Sequence, residues 1–394
     1  MEIKAEWSKL HKAKRIVVKV GTSTLTHQTG NLNLMQMELL VRQLADLKNQ
    51  GRDVILVTSA AVGAGMGRLN IQEKPKEISA KQALAAIGQG ILMHIYEKLF
   101  GEYGIAVAQV LLTKDDVAHR QRYLNARTTL RQIMEYGAVP VINENDTVAF
   151  DQIKVGDNDT LAAMVAGLTD ADLLVLLSDI DGLYTSDPRK DPEASLIPLV
   201  EEITPEIEAL AGGEGSKFGS GGMQTKIAAA RIAVMQGIPM VLTNGSRRDC
   251  LQFLNESREQ TAGGQAMAVN EGSSAYQGTL FLPKAHPLGS RKGWLAFSTR
   301  AAGGIIVDGG AAAALQERGK SLLASGVLQV QGSFERGQVV EISFASRTIA
   351  RGIVNYSSKE LESIRGRHSS EIEGLLGPGH EPEVIHRDNL SLWE

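Results

Sequence analysis

The chain has 394 residues, 43% of them hydrophobic and 22% charged, with a net charge of −4 and a single cysteine. Such a length exceeds one ordinary core, so two globular domains are expected. The weak negative charge offers no global field for nucleic acid or an anionic membrane, and one cysteine excludes an intramolecular disulfide framework or a CxxC site.

The N-terminal stretch MEIKAEWSKLHKAKR lacks the continuous apolar run of a signal peptide. No segment approaches the ~20 apolar residues of a membrane span, so a cytoplasmic location is expected. RIVVKV (15–20) reads as a buried strand, followed by a helix near 33–50 with Leu34, Met37, Val41 and Leu44 on one side and Gly51 at its stop. The strand DVILVTS (53–59) precedes a long helix through AKQALAAIGQGILMHIYEKLF. Then come IAVAQVLLT (105–113), the helix LNARTTLRQIMEYG, the strand AVPVIN, the helix DTLAAMVAGL and the strand ADLLVLLSD (171–179). KIAAARIAVMQGIP carries a helix through Gln236, with Ile227, Ala230, Val234 and Met235 on its apolar side, Gly237 at its stop and Pro239 just beyond. The strand IPMVLTN (238–244) closes the series. This alternation predicts an α/β fold: a mainly parallel open sheet with helices on both faces and ligands beyond the carboxyl ends of its strands.

The pattern changes over 263–292, which is rich in Gly, Ser and Pro and reads as a boundary. One helical stretch, GAAAALQERG, and the short strand-like pieces VLQVQG, QVVEISF, TIARGIVNY and EVIHRDN predict a small β-rich domain beyond it. The division is therefore 1–284, a linker at 285–292, and 293–394. From His286 onward, 12 Lys+Arg balance 12 Asp+Glu, which gives nucleic acid little electrostatic purchase.

Several stretches carry chemistry. GSGGMQTK (219–226) places bare backbone at the mouth of a helix, where unpaired N–H groups suit a phosphate, although the spacing is not that of a Walker A loop. Lys19 lies inside a strand run, where a buried ammonium needs an anion. VTSAAVGAG (57–65) ends a strand in small residues that let Ser59 and nearby backbone approach a ligand. Asn143, Glu144, Asn145 and Asp146 follow one strand; Asp157, Asn158 and Asp159 precede a helix; Ser178 and Asp179 tip another strand. Either Asp/Asn cluster alone reads as caps and turns, but both fall at ligand-side ends. HRDNL (386–390) has the look of a protein-kinase catalytic loop but has no room for the DFG segment that should follow. No zinc-ligand spacing occurs, and no histidine is placed against a nucleophile.

Together, VVKVGTSTL, VTSAAVGAG, LNARTTL, VPVINENDTV, IKVGDND, SDIDGLYTSDPR and GSGGMQTK resemble the amino acid kinase family. The tail resembles the PUA domain, through VDGGAAAALQERGKSLL, V-x-G-x-F-x-x-G and VIHRDNL. The resemblance implies ATP-dependent phosphorylation of the γ-carboxylate of L-glutamate, the first step of proline biosynthesis. It implies that Ser220, Gly221, Gly222, Met223, Gln224, Thr225 and Lys226 close over the ATP phosphates, with Lys19, Ser178 and Asp179 also on the nucleotide. Lys19 and Lys226 would flank the transferring phosphoryl group with Asp159 holding both, while Ser59, Asp146 and Asn158 would bind glutamate. Mg2+ would be held mainly through nucleotide phosphates. Homo-oligomers, inhibition by proline and hand-over of product to glutamate-5-semialdehyde dehydrogenase are implied likewise. Aspartate or N-acetylglutamate as acceptor, and an RNA-binding PUA protein, are the alternatives. Ala60 departs from the family, which usually has Gly after the serine; its methyl would tighten or weaken the glutamate site.

The chemistry agrees with a carboxylate acceptor. A glutamate side chain, with a pKa of ~4.3, is already a deprotonated nucleophile at neutral pH, so the site needs alignment and cationic stabilisation but no general base.

Overall fold

The computed structural model describes residues 2–27, 30–113, 116–117, 120–149, 157–212, 222–255, 278–283, 301–345, 347–377 and 380–392. The expected linker, 285–292, lies outside these, as do Ser220 and Gly221. The chain forms two compact units, one of residues 1–113 with 127–285 and one of 286–394 with 114–126.

The larger unit begins with α1 (Glu2–Lys9), β1 (Arg15–Val20), α2 (Thr22–Leu25), α3 (Leu34–Asn49), β2 (Asp53–Thr58), α4 (Ala61–Arg68), α5 (Ile78–Gly101) and β3 (Val107–Leu112). It continues through α6 (Arg120–Glu135, whose residues 127–135 belong to this unit), β4 (Val139–Glu144), α7 (Asp157–Leu168), β5 (Leu173–Ser178), β6 (Leu199–Val200), α8 (Pro205–Leu210), α9 (Met223–Met235), β7 (Met240–Asn244) and β8 (Gly278–Phe281). The strands form one sheet in the order β3-β4-β2-β1-β5-β7-β8-β6. Every pairing from β3 to β7 is parallel, and β7–β8 is antiparallel. The register pairs Val20 with Thr58 and with Leu177, and Ser178 with Asn244, so the carboxyl ends line one edge of the sheet. That edge is where ligands of open α/β sheets gather.

Strand periodicity sorts the two faces. Ile16, Val18 and Val20 pack with Met37, Leu40 and Leu44 of α3 and Leu92, Tyr96 and Phe100 of α5 in one core. Val17 and Lys19 point to the opposite face, where α7 lies across β1, β2, β4 and β5 and packs against α9. β1 is a central strand, so Lys19 is not an edge lysine facing water.

The expected elements are present with four corrections. Leu34 is exposed, because it is the first helical residue after the Asn33 cap; Met37, Val41 and Leu44 form the buried side. Asn143 and Glu144 belong to β4 rather than following it. Asp157, Asn158 and Asp159 form the first turn of α7 rather than preceding it, a position that the helix dipole makes favourable for carboxylates. β8 falls inside the stretch read as a boundary, where its four residues are hidden between Gly and Pro.

The second unit contains β9 (Gly303–Val307), α10 (Gly309–Gln316), β10 (Leu322–Leu323), β11 (Val327–Gly332), β12 (Val339–Phe344), β13 (Arg347–Ile353), α11 (Ser358–Ile364), α12 (Ile372–Leu376), β14 (Glu383–Ile385) and β15 (Leu390–Leu392). Five strands form a sheet in the order β11-β9-β12-β13-β15, and β10 pairs with β14. Its core includes Ile305, Leu315, Phe334, Ile342, Tyr356 and Leu361. Strands β9, β10 and β15 and helices α11 and α12 are additions to the sequence reading, and EVIHRDN is a strand only over Glu383–Ile385. Among the described residues no helix is long and apolar enough to cross a membrane.

Glycines set the closeness of α4 and α5. A Cβ at Gly88 would lie 1.8 Å from the Ala61 carbonyl oxygen, and one at Gly65 would lie 2.1 Å from that of Leu84. Gly90, two residues on in the same helix, has nothing within 4 Å. Gly88→Ala should therefore cost about 3 kcal/mol by overpacking. Gly90→Ala should be neutral or stabilise by up to ~1 kcal/mol, because it removes only a helix penalty. Urea denaturation of the two variants checks this; equal effects would show that the contact is not tight.

Candidate active site

The parity of β1 sends the Lys19 side chain toward α7, and Asp159 in the first turn of α7 receives it. Lys19 Nζ lies 2.5 Å from Asp159 Oδ1. The other carboxylate oxygen lies 3.2 Å from Lys226 Nζ and accepts a hydrogen bond from Thr225 Oγ1 at 2.9 Å. Both come from the first turn of α9, which Gly222 caps without a side-chain contact. Lys19 is 6% exposed and Asp159 1%. Burial alone would raise the Asp159 carboxyl, but the two ammonium groups outweigh it and hold the group below the usual carboxylate range. Burial draws the Lys19 ammonium down, against the pull of Asp159. Two cations share one anion here, so the cluster keeps one excess positive charge between the N-termini of α7 and α9, an arrangement suited to phosphate oxygens.

Adjacent to Asp159, Asn158 turns toward β2 and β4. Its Nδ2 lies 3.0 Å from the Thr58 carbonyl, 2.9 Å from Ser59 Oγ and 3.0 Å from Asn143 Oδ1. The structure thus joins Ser59 to Asn158, and Lys19, Thr225 and Lys226 to Asp159, through neighbouring residues of one helix. Asp146 is half-buried in the turn beyond β4, three residues after Asn143. Ser178 ends β5, donates to Asp179 Oδ1 at 3.1 Å, and accepts the Gly245 N–H at its carbonyl. Asp179 meets Arg189 at 3.8 Å. Gln224 donates to the Gly212 carbonyl, and Met223 opens α9.

The Amino acid kinase family model matches residues 14–244, more than half of the chain, and the PUA domain model matches residues 303–376. The chain belongs to the amino acid kinase family. It is 53% identical to the glutamate 5-kinase of Moorella thermoacetica over 97% of each chain. It is 52% identical to the glutamate 5-kinase of Caldanaerobacter subterraneus subsp. tengcongensis, over 96% of this chain and 98% of that one. The glutamate 5-kinase of Carboxydothermus hydrogenoformans is also 52% identical, over 97% of this chain and 98% of its own.

Against that family background, Ala60 adopts the left-handed conformation, with φ 76° and ψ 9°, directly before α4. This is the backbone region glycine enters freely, which is the physical reason to expect glycine here. Two groups went unread in the sequence. Asp181 Oδ1 accepts from Asn244 Nδ2 at 3.1 Å and meets Arg247 at 2.9 Å, tying together the loops after β5 and β7. Gln89 of α5 accepts from Asn143 Nδ2 at 2.9 Å. A glutamine between two glycines in the otherwise apolar stretch ALAAIGQGILM was the available signal for the second.

Asp159→Asn would leave one buried and one half-buried lysine without their shared counter-charge, and should lower stability by about 3 kcal/mol. Adding Lys19→Met to the same chain should restore part of that loss. Because the folded-state pKa of Asp159 is depressed, its contribution is complete above the ordinary carboxylate range and fades as pH falls through the depressed value. The acid limb of the wild-type stability curve should therefore be steeper than that of Asp159→Asn. Superimposable acid limbs would show that the bridge contributes nothing to folding.

Proposed function

We propose that the chain transfers the γ-phosphoryl group of ATP to the γ-carboxylate of L-glutamate, giving L-glutamyl 5-phosphate and ADP as the first step of proline biosynthesis. The observation that carries this reading is the pair of lysines held on the two oxygens of one buried aspartate, next to an amide cluster on the same helix turn. Near-full-length identity to glutamate 5-kinases supports the acceptor. Residues 1–284 form the kinase domain in this reading and 293–394 the PUA domain.

One carboxylate oxygen of glutamate attacks the γ-phosphorus in line; a new O–P bond forms as the bond to the bridging oxygen of ADP breaks. Lys19 and Lys226 stabilise the charge spread over the phosphoryl oxygens, and Asp159 keeps both aimed without being able to donate a proton itself. Ser178, Asp179 and the residues from Ser220 to Lys226 hold the nucleotide. Ser59, Asp146 and Asn158 hold glutamate, with the Asp146 carboxylate facing its ammonium. Magnesium would come with the nucleotide, held mainly through its phosphates, and would supply neutralising charge there. The product is a mixed anhydride prone to hydrolysis, so a reductase that consumes it promptly is the natural next enzyme.

Incubation with magnesium–ATP and hydroxylamine tests the reading, because an acyl phosphate is trapped as a stable hydroxamate. Strong signal is expected with L-glutamate. L-Aspartate should give little, because one methylene fewer leaves its carboxylate short of in-line reach, and N-acetylglutamate should fail because its neutral amide brings no positive charge to the Asp146 carboxylate. Preference for either alternative would overturn the acceptor; silence with all three, from protein that binds ATP, would overturn the activity. Lys226→Met should lower turnover ~10²–10³-fold, as expected for loss of one preorganised charge contact. Near-normal turnover in that folded variant would remove Lys226 from the phosphoryl site.

A further inference from the structure

We propose that Gln89 is a positioning residue for the amino-acid acceptor, acting through Asn143 on Asn158; this rests on the reading above that Asn158 serves the acceptor.

The orientations of the three amides follow from two backbone groups. The Glu144 N–H donates to Asn143 Oδ1 at 2.9 Å, which fixes that oxygen and turns Asn143 Nδ2 toward Gln89. Gln89 must therefore present Oε1, its only acceptor, to Asn143. At the other end, the Thr58 carbonyl can only accept, so Asn158 must present Nδ2 to it. The same nitrogen faces Ser59 Oγ and Asn143 Oδ1. Its two N–H bonds are shared among three acceptors, and Asn158 Oδ1 is committed to the opposite direction.

The consequence is a pair of buried atoms with no hydrogen-bond partner among the described residues: Asn158 Oδ1 and Gln89 Nε2. An obligate acceptor on Asn158, turned away from the Ser59 contact, is the complement of an ammonium, which only donates. Leaving Gln89 Nε2 buried without a partner has a cost, so the orientation of Gln89 serves Asn143 rather than itself. Gln89 is 8% exposed and Asn143 2%, so water competes little with either contact. Gly88, the preceding residue, is where α5 comes against the Ala61 carbonyl, and that approach brings Gln89 within reach of β4.

Without Gln89, Asn143 Nδ2 loses its acceptor, and only the Glu144 N–H at the other end still holds the Asn143 amide, which can then tilt about that single contact and away from Asn158. Asn158 then keeps only its contacts to β2 and Ser59, and Oδ1 no longer points in one direction. Gln89→Leu should raise the KM for glutamate about tenfold, the equivalent of one well-placed hydrogen bond. The KM for ATP and kcat should change by less than about threefold, because a general packing defect would move all three. In an Asn143→Ala background, Gln89→Leu should add nothing further, since the link it works through is already cut.

The wild type is assayed first with the hydroxamate readout: no signal with glutamate overturns the functional reading and this inference with it. Given that signal, an unchanged glutamate KM in Gln89→Leu overturns the inference alone. Additive losses in the double variant, or equal rises in both KM values, also overturn it. Gln89→Met, of nearly the same length, repeats the measurement should the leucine variant unfold. If neither variant folds, Gln89 is a structural residue and the inference is wrong.

Discussion

A lysine in the central strand of an eight-stranded sheet is permissible only because a carboxylate meets it. Asp159 is that carboxylate, and its second oxygen meets Lys226 and Thr225. Three segments far apart in the chain are thereby tied at one point beyond the sheet edge. The arrangement is asymmetric in charge, since one carboxylate cannot neutralise two ammonium groups. The residual positive charge has little competition from water, so an anion that reaches it meets a field stronger than exposed lysines would provide. The same burial makes the site costly to disturb: neutralising Asp159 strands two cations at once. Positioning of the cationic site and stability of the α7–α9 layer therefore cannot be varied independently.

The Asn158 side of the site is governed by a different constraint, the closeness of backbones. Gly65 and Gly88 remove the side chains that would hold α4 and α5 apart. With the helices in contact, Tyr96 of α5 meets Thr58 Oγ1 at 2.8 Å and Gln89 meets Asn143. Thr58 ends β2 and Asn143 is the last residue but one of the adjacent β4, so the buried side of one helix supplies the polar groups that brace both. Packing on one face of the sheet thus sets hydrogen-bond orientations at its ligand edge.

Much of this was legible in the sequence, for identifiable reasons. Buried parallel strands are short, nearly continuous apolar runs, so RIVVKV and ADLLVLLSD announced β1 and β5 without tertiary information. Lys19 stood out because it broke such a run. Which anion it met was not legible from spacing, because 140 residues separate Lys19 from Asp159 and only the parity of β1 and the placement of α7 bring them together. The first turn of α7 was misplaced because Asp and Asn are as common just before a helix as inside its first turn. β8 and β9 were missed since each is short and flanked by glycine, where periodicity has too few positions to register. Gln89 was missed for the opposite reason: the apolar pattern around it was strong enough to absorb one polar residue.

Ala60 shows how neighbouring contacts can impose a conformation that its own residue disfavours. A left-handed φ costs a residue with a Cβ about 1–2 kcal/mol. The sequence alone suggests that the extra methyl tightens or weakens a neighbouring ligand site; in the structure Ala60 is 5% exposed and belongs to the apolar core with Ala61 and Ala64. Burying one carbon contributes about 0.8 kcal/mol, which offsets much of the backbone cost. What holds the conformation lies on either side. Ser59 accepts a hydrogen bond from Asn158, and Ala61 begins a helix pressed against Gly88. Between two such anchors a single residue has to make the turn. Backbone strain and methyl burial oppose each other there, so alanine in place of glycine changes the energy of the turn only slightly. The path of the loop, and with it the position of Ser59, is set by its neighbours.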